Sequence, residues 1–476
     1  MIDTKAIRNK ILDLAVRGKL TEQLSEDGTT EELYRQIQLE KEVIIKERKG
    51  RNDKGIKSVD NDTPYLIPVY WKWIRFGEVG LFKKGPFGSA LTKSMFVSKS
   101  TNAIKVYEQQ HAIKKDSALG TYYITKEYFD DKMKGFEVKG GDIIISCAGT
   151  IGETYIMPND IEPGIINQAL MRVTLVSGID KRFFQYFFDS SLKNTAKEGN
   201  GSAIVNIPPF DIIKNWYFPL PPLAEQKRIV NKIEQAFSVL DTIDELQKKY
   251  ADNMTVLKSK LIDLAIRGKL TEQLPEDGTG ASLIKENANR IKDCSIEIQK
   301  RVGKGCKPIQ KIDYLFEIPE TWCWERFGNL VVNYDNQRKP VTKSDRKSIL
   351  GLYDYYGATG AIDRVDEYIF DGDYLMIGED GGNFFVNRDN SFIAHGKFWA
   401  NNHVHVVQPI ICEISYLKIC LDNYDLPKMG LIYGIGAPKL NQENMNSIPI
   451  PVPPLAEQKR IVERLDKLLA VCDSQL

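Results

Sequence analysis

From Ile229 onward the apolar residues Ile229, Ile233, Ala236, Leu240, Ile243, Tyr250, Met254, Leu257, Leu261 and Leu264 recur in steps of three and four. Only Gln247 breaks the order, with Leu246 beside it. The pattern predicts one long helix with a single apolar stripe, close to a coiled-coil seam. Pro222 suits the first turn, where a missing N–H costs nothing, and Glu225 suits the positive helix end. No proline or glycine intervenes before Gly268, a C′ stop. At about 1.5 Å per residue, roughly 40 residues make a rod of about 60 Å. So long a helix needs a partner alongside to bury its stripe.

Elsewhere the period is shorter-lived. Ile7, Ile11 and Leu14 predict a helix over 4–20, and Thr29 with Glu32 forms a capping-box signature for a second helix through Lys49. A polar linker occupies 50–62. A helix over Ser282–Lys300 and a basic GKGCKP link follow the same plan later. Between Tyr65 and Pro219 the runs Asp142–Ser146, Thr154–Met157 and Met171–Val176 read as strands, and Arg182–Leu192 as a helix. Between Tyr314 and Pro451 the strand runs are Tyr374–Gly378 and His403–Val407, with a helix at Ile414–Leu421. Trp71 and Trp73, matched by Trp322 and Trp324, alternate at the start of each segment and read as core.

The two halves are copies. PPLAEQKRIV stands at 221–230 and again at 453–462, and LDLAVRGKLTEQLSEDGT at 12–29 is answered by IDLAIRGKLTEQLPEDGT at 262–279. The copies diverge between RFG and PPLAEQ. By the same matching Leu476 corresponds to Asp244 and Met1 to Ala251, so the two termini joined together would rebuild the central helix. The expected fold class is α+β. Two globular α/β domains, 61–219 and 311–451, are separated by two long antiparallel coiled-coil helices in a pseudo-twofold cyclic repeat. The helical regions are 1–60, 220–310 and 452–476, the last pairing with the amino-terminal and central helices.

Net charge is +1, so nucleic-acid affinity must come from local patches, and a near-zero charge disfavours a DNA-mimicking acidic surface. The seven cysteines show neither a CxxC pair nor zinc spacing and read as thiols in a reducing cytosol. No run is long enough to span a membrane, and no signal peptide is expected. Catalytic patterns fail on inspection. Asn206-Ile207-Pro208-Pro209-Phe210 is near an amino-methyltransferase loop, but Ile207 separates the amide from the prolines. Tyr433-Gly434-Ile435-Gly436 is a lone G-x-G without its acidic partner. Asp211 with Glu225, Gln226 and Lys227 outlines a metal-nuclease set, but the second copy has no matching aspartate, so these read as first-turn helix charges. His403 and His405 share one strand face with nothing nearby to complete a metal set.

Binding features do better. Phe82–Lys115 carries Lys83, Lys84, Lys93, Lys99, Lys105, Lys114 and Lys115 against Glu108 alone. Gly85, Gly88 and Ser89 permit close backbone approach, and Tyr107, Gln109, Gln110 and His111 are interleaved. Lysines suit phosphates, while Gln and His suit base edges. The second domain offers Arg338, Lys339, Lys343, Arg346 and Lys347 against Asp335 and Asp345, then Tyr355, Tyr356 and Thr359 within YYGATG. Charge runs are commonly solvated faces, yet matched patches in duplicated domains favour a DNA contact.

At the twin PPLAEQKRIV and LDLAxRGKLTEQL blocks the chain resembles the specificity subunit of type I restriction–modification enzymes, over nearly its whole length. KKGPFGS, GTIGE, GIINQAL, YYGATGAID, ANNHVHVV and GAPKLN look like recognition-domain segments. They add Thr150, Asn401, Asn402, His403 and Lys439 to the candidate DNA contacts. The resemblance implies a cytoplasmic, non-catalytic reader of a bipartite asymmetric site in double-stranded DNA, with no cofactor of its own. It implies two methyltransferase subunits, which bind S-adenosylmethionine and methylate adenine N6, and translocating endonuclease subunits that can join them. Residues inserted within 240–256 should then lengthen the unread gap. Gln109→Ala should relax specificity, and Lys84→Ala should weaken binding uniformly. The competing reading is a protein scaffold gripping two partners across a coiled-coil spacer.

Overall fold

In the computed structural model, the apolar runs around Ile143 and Tyr374 are strands with both faces covered, which is why they are continuous rather than alternating. The structure describes residues 1–48, 55–198, 207–342, 346, 351–382, 384–385, 390–434, 436 and 438–474, without the side chains of 193–198. Contacts divide the chain into two units, Met1–Leu246 and Gln247–Leu476.

The first unit opens with helices α1 (Thr4–Val16) and α2 (Thr30–Glu47) and strands β1 (Lys72–Arg75), β2 (Gly80–Lys84) and β3 (Ala103–Tyr107). Helix α3 (Gln109–Lys114) precedes β4 (Tyr123–Thr125), β5 (Glu137–Val138), β6 (Ile143–Ser146), β7 (Thr154–Ile156), β8 (Gly164–Ile166) and β9 (Leu170–Leu175). Then come α4 (Lys181–Glu198), β10 (Tyr217–Leu220) and the start of α5 (Leu223–Ile266). One sheet has the order β2-β9-β6-β7 and another β4-β3-β8-β5, while β1 and β10 pair alone. Along β6, Ile143 and Ile145 pack with the phenylalanines of α4, and Ile144 packs with Tyr107 and Ala112 on the opposite face. The period of two thus divides one strand between two cores.

The second unit holds the end of α5, then α6 (Gly280–Asp293) and strands β11 (Cys323–Arg326), β12 (Val331–Asn333), β13 (Tyr353–Gly357), β14 (Gly360–Val365), β15 (Phe370–Asp371) and β16 (Tyr374–Gly378). Strands β17 (Ser391–Ala394), β18 (Lys397–Ala400) and β19 (Val404–Pro409) lead to α7 (Ile414–Asp422), β20 (Pro449–Val452) and α8 (Leu455–Ser474). Its sheets run β12-β19-β16-β17, β14-β13-β18-β15 and β11-β20. Strand for strand this is the order of the first unit. Even the parallel pair recurs, β3 with β8 and β13 with β18, inside otherwise antiparallel ladders. The interval where the sequences diverge therefore keeps one topology.

The repeated blocks form the same latch in each unit. Glu225, wholly buried in the first turn of α5, accepts from Thr21 Oγ1 and Gln23 Nε2 at 3.0 Å and from Trp71 Nε1 at 2.7 Å. Gln226 donates to Gly178 O and Pro221 O and accepts from Asp180 N. Arg228 pairs with Asp27. In the second unit Glu457 accepts from Thr271, Gln273 and Trp322, and Arg460 pairs with Asp277. Glu225 does stand in the first turn, as its sequence position predicts, and it has a further role there. Its carboxylate ties the RGKLTEQ turn and the Trp of β1's approach to the helix. Gly18 and Gly268, both with positive φ, lie where a Cβ would meet Pro68 and Pro319 within 2.5 Å. That close approach completes the latch.

Other expectations shift in detail. Thr29 makes no side-chain cap for α2, whereas Thr279 caps α6 with Ser282. The predicted Ser282–Lys300 helix breaks at Cys294 and resumes over Ile296–Gln299. Along α5, Ile229, Ile233 and Leu240 are buried, but Tyr250, Leu257 and Leu264 remain exposed. Within the first unit α1 runs antiparallel beside α5, with Thr4 bonded to Asp244 and Arg8 to Asp241. Within the second, Lys258 of α5 pairs with Asp473 of α8. Among the described residues no helix is long and apolar enough to cross a membrane.

Candidate nucleic-acid interface

Strand order brings four segments of the first unit together at one end of its sheets. After β2, Gly85 N donates to Leu170 O at 2.9 Å. After β3, Gln109 Nε2 donates to Ala148 O at 2.7 Å. After β6, Cys147 N donates to Ala169 O, and in the β8–β9 turn Asn167 N donates to Tyr107 O. Lys83, Lys84, Ser89, Lys93 and Thr150 are exposed on or beside these segments, and Gln109 and Gln110 are half-buried.

Tyr107 and His111 are not on the surface. Tyr107 donates its hydroxyl to Glu162 O. His111 accepts from Glu108 N at Nδ1, and its Nε2 lies 2.6 Å from Leu119 O, which fixes the Nε2–H tautomer. Both hold the loop from beneath, so the reading of them as contacts is corrected. The basic run is also less free than its sequence suggests. Lys105 is buried against Ser117 O and Ala118 O, Lys99 pairs with Glu162 and Lys115 with Glu153. A local charge count cannot see acids delivered from about 40 to 60 positions away.

The same segments converge in the second unit. Lys339 N donates to Ala400 O, Asn401 N to Tyr356 O, and Glu379 N to His403 O. Asn401 Oδ1 accepts from His403 N at 2.8 Å, as Asn167 Oδ1 accepts from Ala169 N at 3.0 Å. The two turns are the same turn. Lys339, Thr359, Asn402 and His403 are exposed, and Tyr356 and Lys439 are half-buried. Tyr355 is buried, with its hydroxyl accepting from Val341 N, so it too lies under the surface. Lys343, Lys347 and Asn206 lie outside the described residues. The equivalence also exposes Gln168, at the place of Asn402, which sequence reasoning missed although both follow an Asn that ends a strand run.

Charge is more compensated here. Lys439 and His403 both bind Asp380, at 2.7 and 2.9 Å. Arg338 donates to Glu379 at 2.6 Å and to Val404 O at 2.8 Å, so it braces the loops. The expectation that nothing gathers round His405 is corrected, because Asp335 and Glu379 lie within metal-ligand reach of it. Arg338, 3.5 Å from Asp335, already supplies the positive charge that two carboxylates require. Asp211, the other metal-site candidate, is bonded to Lys214, and Glu225 is committed to the latch.

Burial works to lower the His405 pKa, but the hydrogen bond and charge of Asp335, with Glu379 behind it, hold it above the ordinary value of 6.5. Burial likewise works to raise Asp335, and His405 and Arg338 hold it below 3.8. A histidine raised on folding stabilises fully below its unfolded pKa, and that contribution is lost as pH rises through the folded value. The Asp335 contribution is instead present above 3.8 and lost as pH falls through its folded value. Unfolding temperature, followed by calorimetry, should therefore fall between pH 6 and pH 9 for residues 247–476. His405→Met, which installs the residue of the equivalent position 171, should lower stability at pH 6 and remove this slope. A wild-type profile that stays flat over that range contradicts the account.

Two units of one topology, each presenting one loop cluster and each latched to a helical block, define a tandem recognition scaffold. The family model described as the type I restriction modification DNA specificity domain matches residues 68–250 and 321–474. The chain belongs to this family: it is a type I restriction–modification specificity subunit, a non-catalytic recognition subunit. It is 23% identical to the EcoAI specificity subunit of Escherichia coli, covering 98% of this chain and 89% of that one. It is 38% identical over 149 residues, 31% of this chain, to a putative specificity subunit of Haemophilus influenzae. Among solved structures, the HsdS subunit from Thermoanaerobacter tengcongensis aligns over 87% of this chain and 94% of its own, with a TM-score of 0.50 and 16% identity. A structure described as underlying complex assembly and conformational transition of the type I R-M system aligns over 87% and 93%, with a TM-score of 0.54 and 17% identity. At such identities these two speak for the fold alone.

Proposed function

We propose that this chain reads a bipartite, asymmetric site in double-stranded DNA, residues 61–219 addressing one half and 311–451 the other. The observation that carries the proposal is the pair of equivalent loop clusters. One topology presents unlike side chains: Lys83, Lys84, Gln109 and Gln168 in one, Lys339, Thr359, Asn402 and His403 in the other. Equal scaffolds with different tips suit two different half-sites. Lysine and backbone groups position the duplex, and amides and imidazole read base edges.

On this reading the 44-residue helix α5 is the spacer, since it continues without a break from one unit into the next. The helical blocks dock two methyltransferase subunits, which bring S-adenosylmethionine and methylate adenine N6. Endonuclease and translocase subunits add to the same complex, and the cytoplasm, where the DNA lies, is its place of work. The test is methylation sequencing of cells with and without the gene. A two-part adenine motif should vanish with it, and an unchanged methylome defeats the proposal.

A further inference from the structure

Phe87 is 88% exposed at the apex of the segment that leaves β2. A lone exposed apolar residue needs no explanation, but this one is carried on a segment pinned at both ends. On the near side Gly85 is hydrogen-bonded to Leu170 and lies so close to the β8–β9 turn that a Cβ would stand 1.8 Å from Asn167 O. On the far side Ala90 N donates to Phe87 O at 2.9 Å, the Tyr128 hydroxyl donates to Ala90 O at 2.8 Å, and Leu91 is buried. A Cβ on Gly88 would meet nothing within 4 Å, so the apex opens to solvent beyond the ring as well. Immediately before it, Lys83 and Lys84 are exposed on β2.

Among the described residues the second unit holds the corresponding place differently. Val404 occupies the place of Leu170, each pairing with the last residue of its neighbouring strand, Gly378 or Ser146. Its carbonyl takes its bond from the Arg338 guanidinium instead of from a backbone N–H. The segment that carries the ring is thus held by backbone where its counterpart is held by a side chain.

Resting on the reading of these clusters as DNA-binding, we infer that Phe87 makes an apolar contact with a base of the half-site addressed by residues 61–219. The lysines hold the phosphates while the ring packs against a base face or a thymine methyl. Such a contact displaces no counterions, so its loss differs in kind from the loss of a lysine.

The test uses the full chain assembled with its methyltransferase subunits and a duplex carrying the site, titrated at several salt concentrations. Phe87→Ala is expected to weaken binding roughly tenfold or more, with the slope of log affinity against log salt unchanged. Phe87→Leu should fall between it and the wild type. Lys84→Ala should reduce the slope by about one. Unfolding temperatures of the Phe87 variants should match the wild type, since the ring is exposed. Wild-type affinity in Phe87→Ala, or a reduced salt slope, overturns the inference while leaving the DNA reading in place. Failure of the wild-type complex to bind any duplex overturns both.

Discussion

Glu225→Ala should destabilise residues 1–246 by about 3 kcal/mol, because it leaves the buried Trp71 N–H without an acceptor and removes two further bonds to a carboxylate. Orphaning one buried donor costs about 1–3 kcal/mol, and hydrogen bonds to a charged group are worth about 1.5–3 kcal/mol each before partial rescue by water. Thr21 and Gln23 are half-buried and regain some water, which keeps the total near the low end. For a unit of this size the loss corresponds to roughly 6–12 °C in unfolding temperature. Glu457→Ala should do the same in residues 247–476, where Trp322, Thr271 and Gln273 are the partners. The decisive measurement is the double variant Glu225→Ala with Trp71→Phe. Removing donor and acceptor together should cost well under the sum of the two single losses. Strict additivity would mean that the carboxylate and the indole do not act as a pair.

The latch also shows what the amino-acid order could and could not disclose. Its parts were visible as repeated words, PLAEQ and GKLTEQ, and α5 was visible as a stripe. Their meeting was not, because Glu225 and Thr21 are some 200 positions apart and nothing local marks a carboxylate as buried. Strands with both faces covered, such as Ile143–Ser146 and Tyr374–Gly378, stood out as apolar runs. The parallel β3–β8 and β13–β18 pairs did not, since their partners are set by topology rather than by any neighbouring turn. Among the candidate contacts, the exposed lysines were found by charge, whereas Thr150, Asn402 and His403 came in through the family resemblance. Tyr107, His111 and Tyr355 were drawn in by residue type alone, and each turns out to be consumed by a hydrogen bond to its own backbone surroundings. Arg338 looked like a phosphate contact until Glu379 came in from 41 positions away.

Exchanging residues 76–219 for the corresponding segment of another family member should replace one part of the methylated motif completely and leave the other unchanged. The graft is physically reasonable because the chain enters and leaves this segment through neighbouring strands. Lys72 to Arg75 of β1 pair with Leu220 to Tyr217 of β10, and Phe76 N donates to Trp216 O at 2.8 Å. Trp71, Glu225, Thr21 and Gln23 all lie outside the exchanged stretch, so the carboxylate latch survives. The Gln226 contacts that reach into it, to Gly178 O and Asp180 N, are with backbone groups that another sequence also supplies. Each misread base pair costs about 1–3 kcal/mol, so two of them lower affinity roughly thirtyfold or more and the original motif should disappear. Methylation sequencing of cells carrying the chimera reads the outcome directly. A chimera that methylates the parental motif, or one whose motif changes in both parts, would show that the two loop clusters do not read the duplex independently.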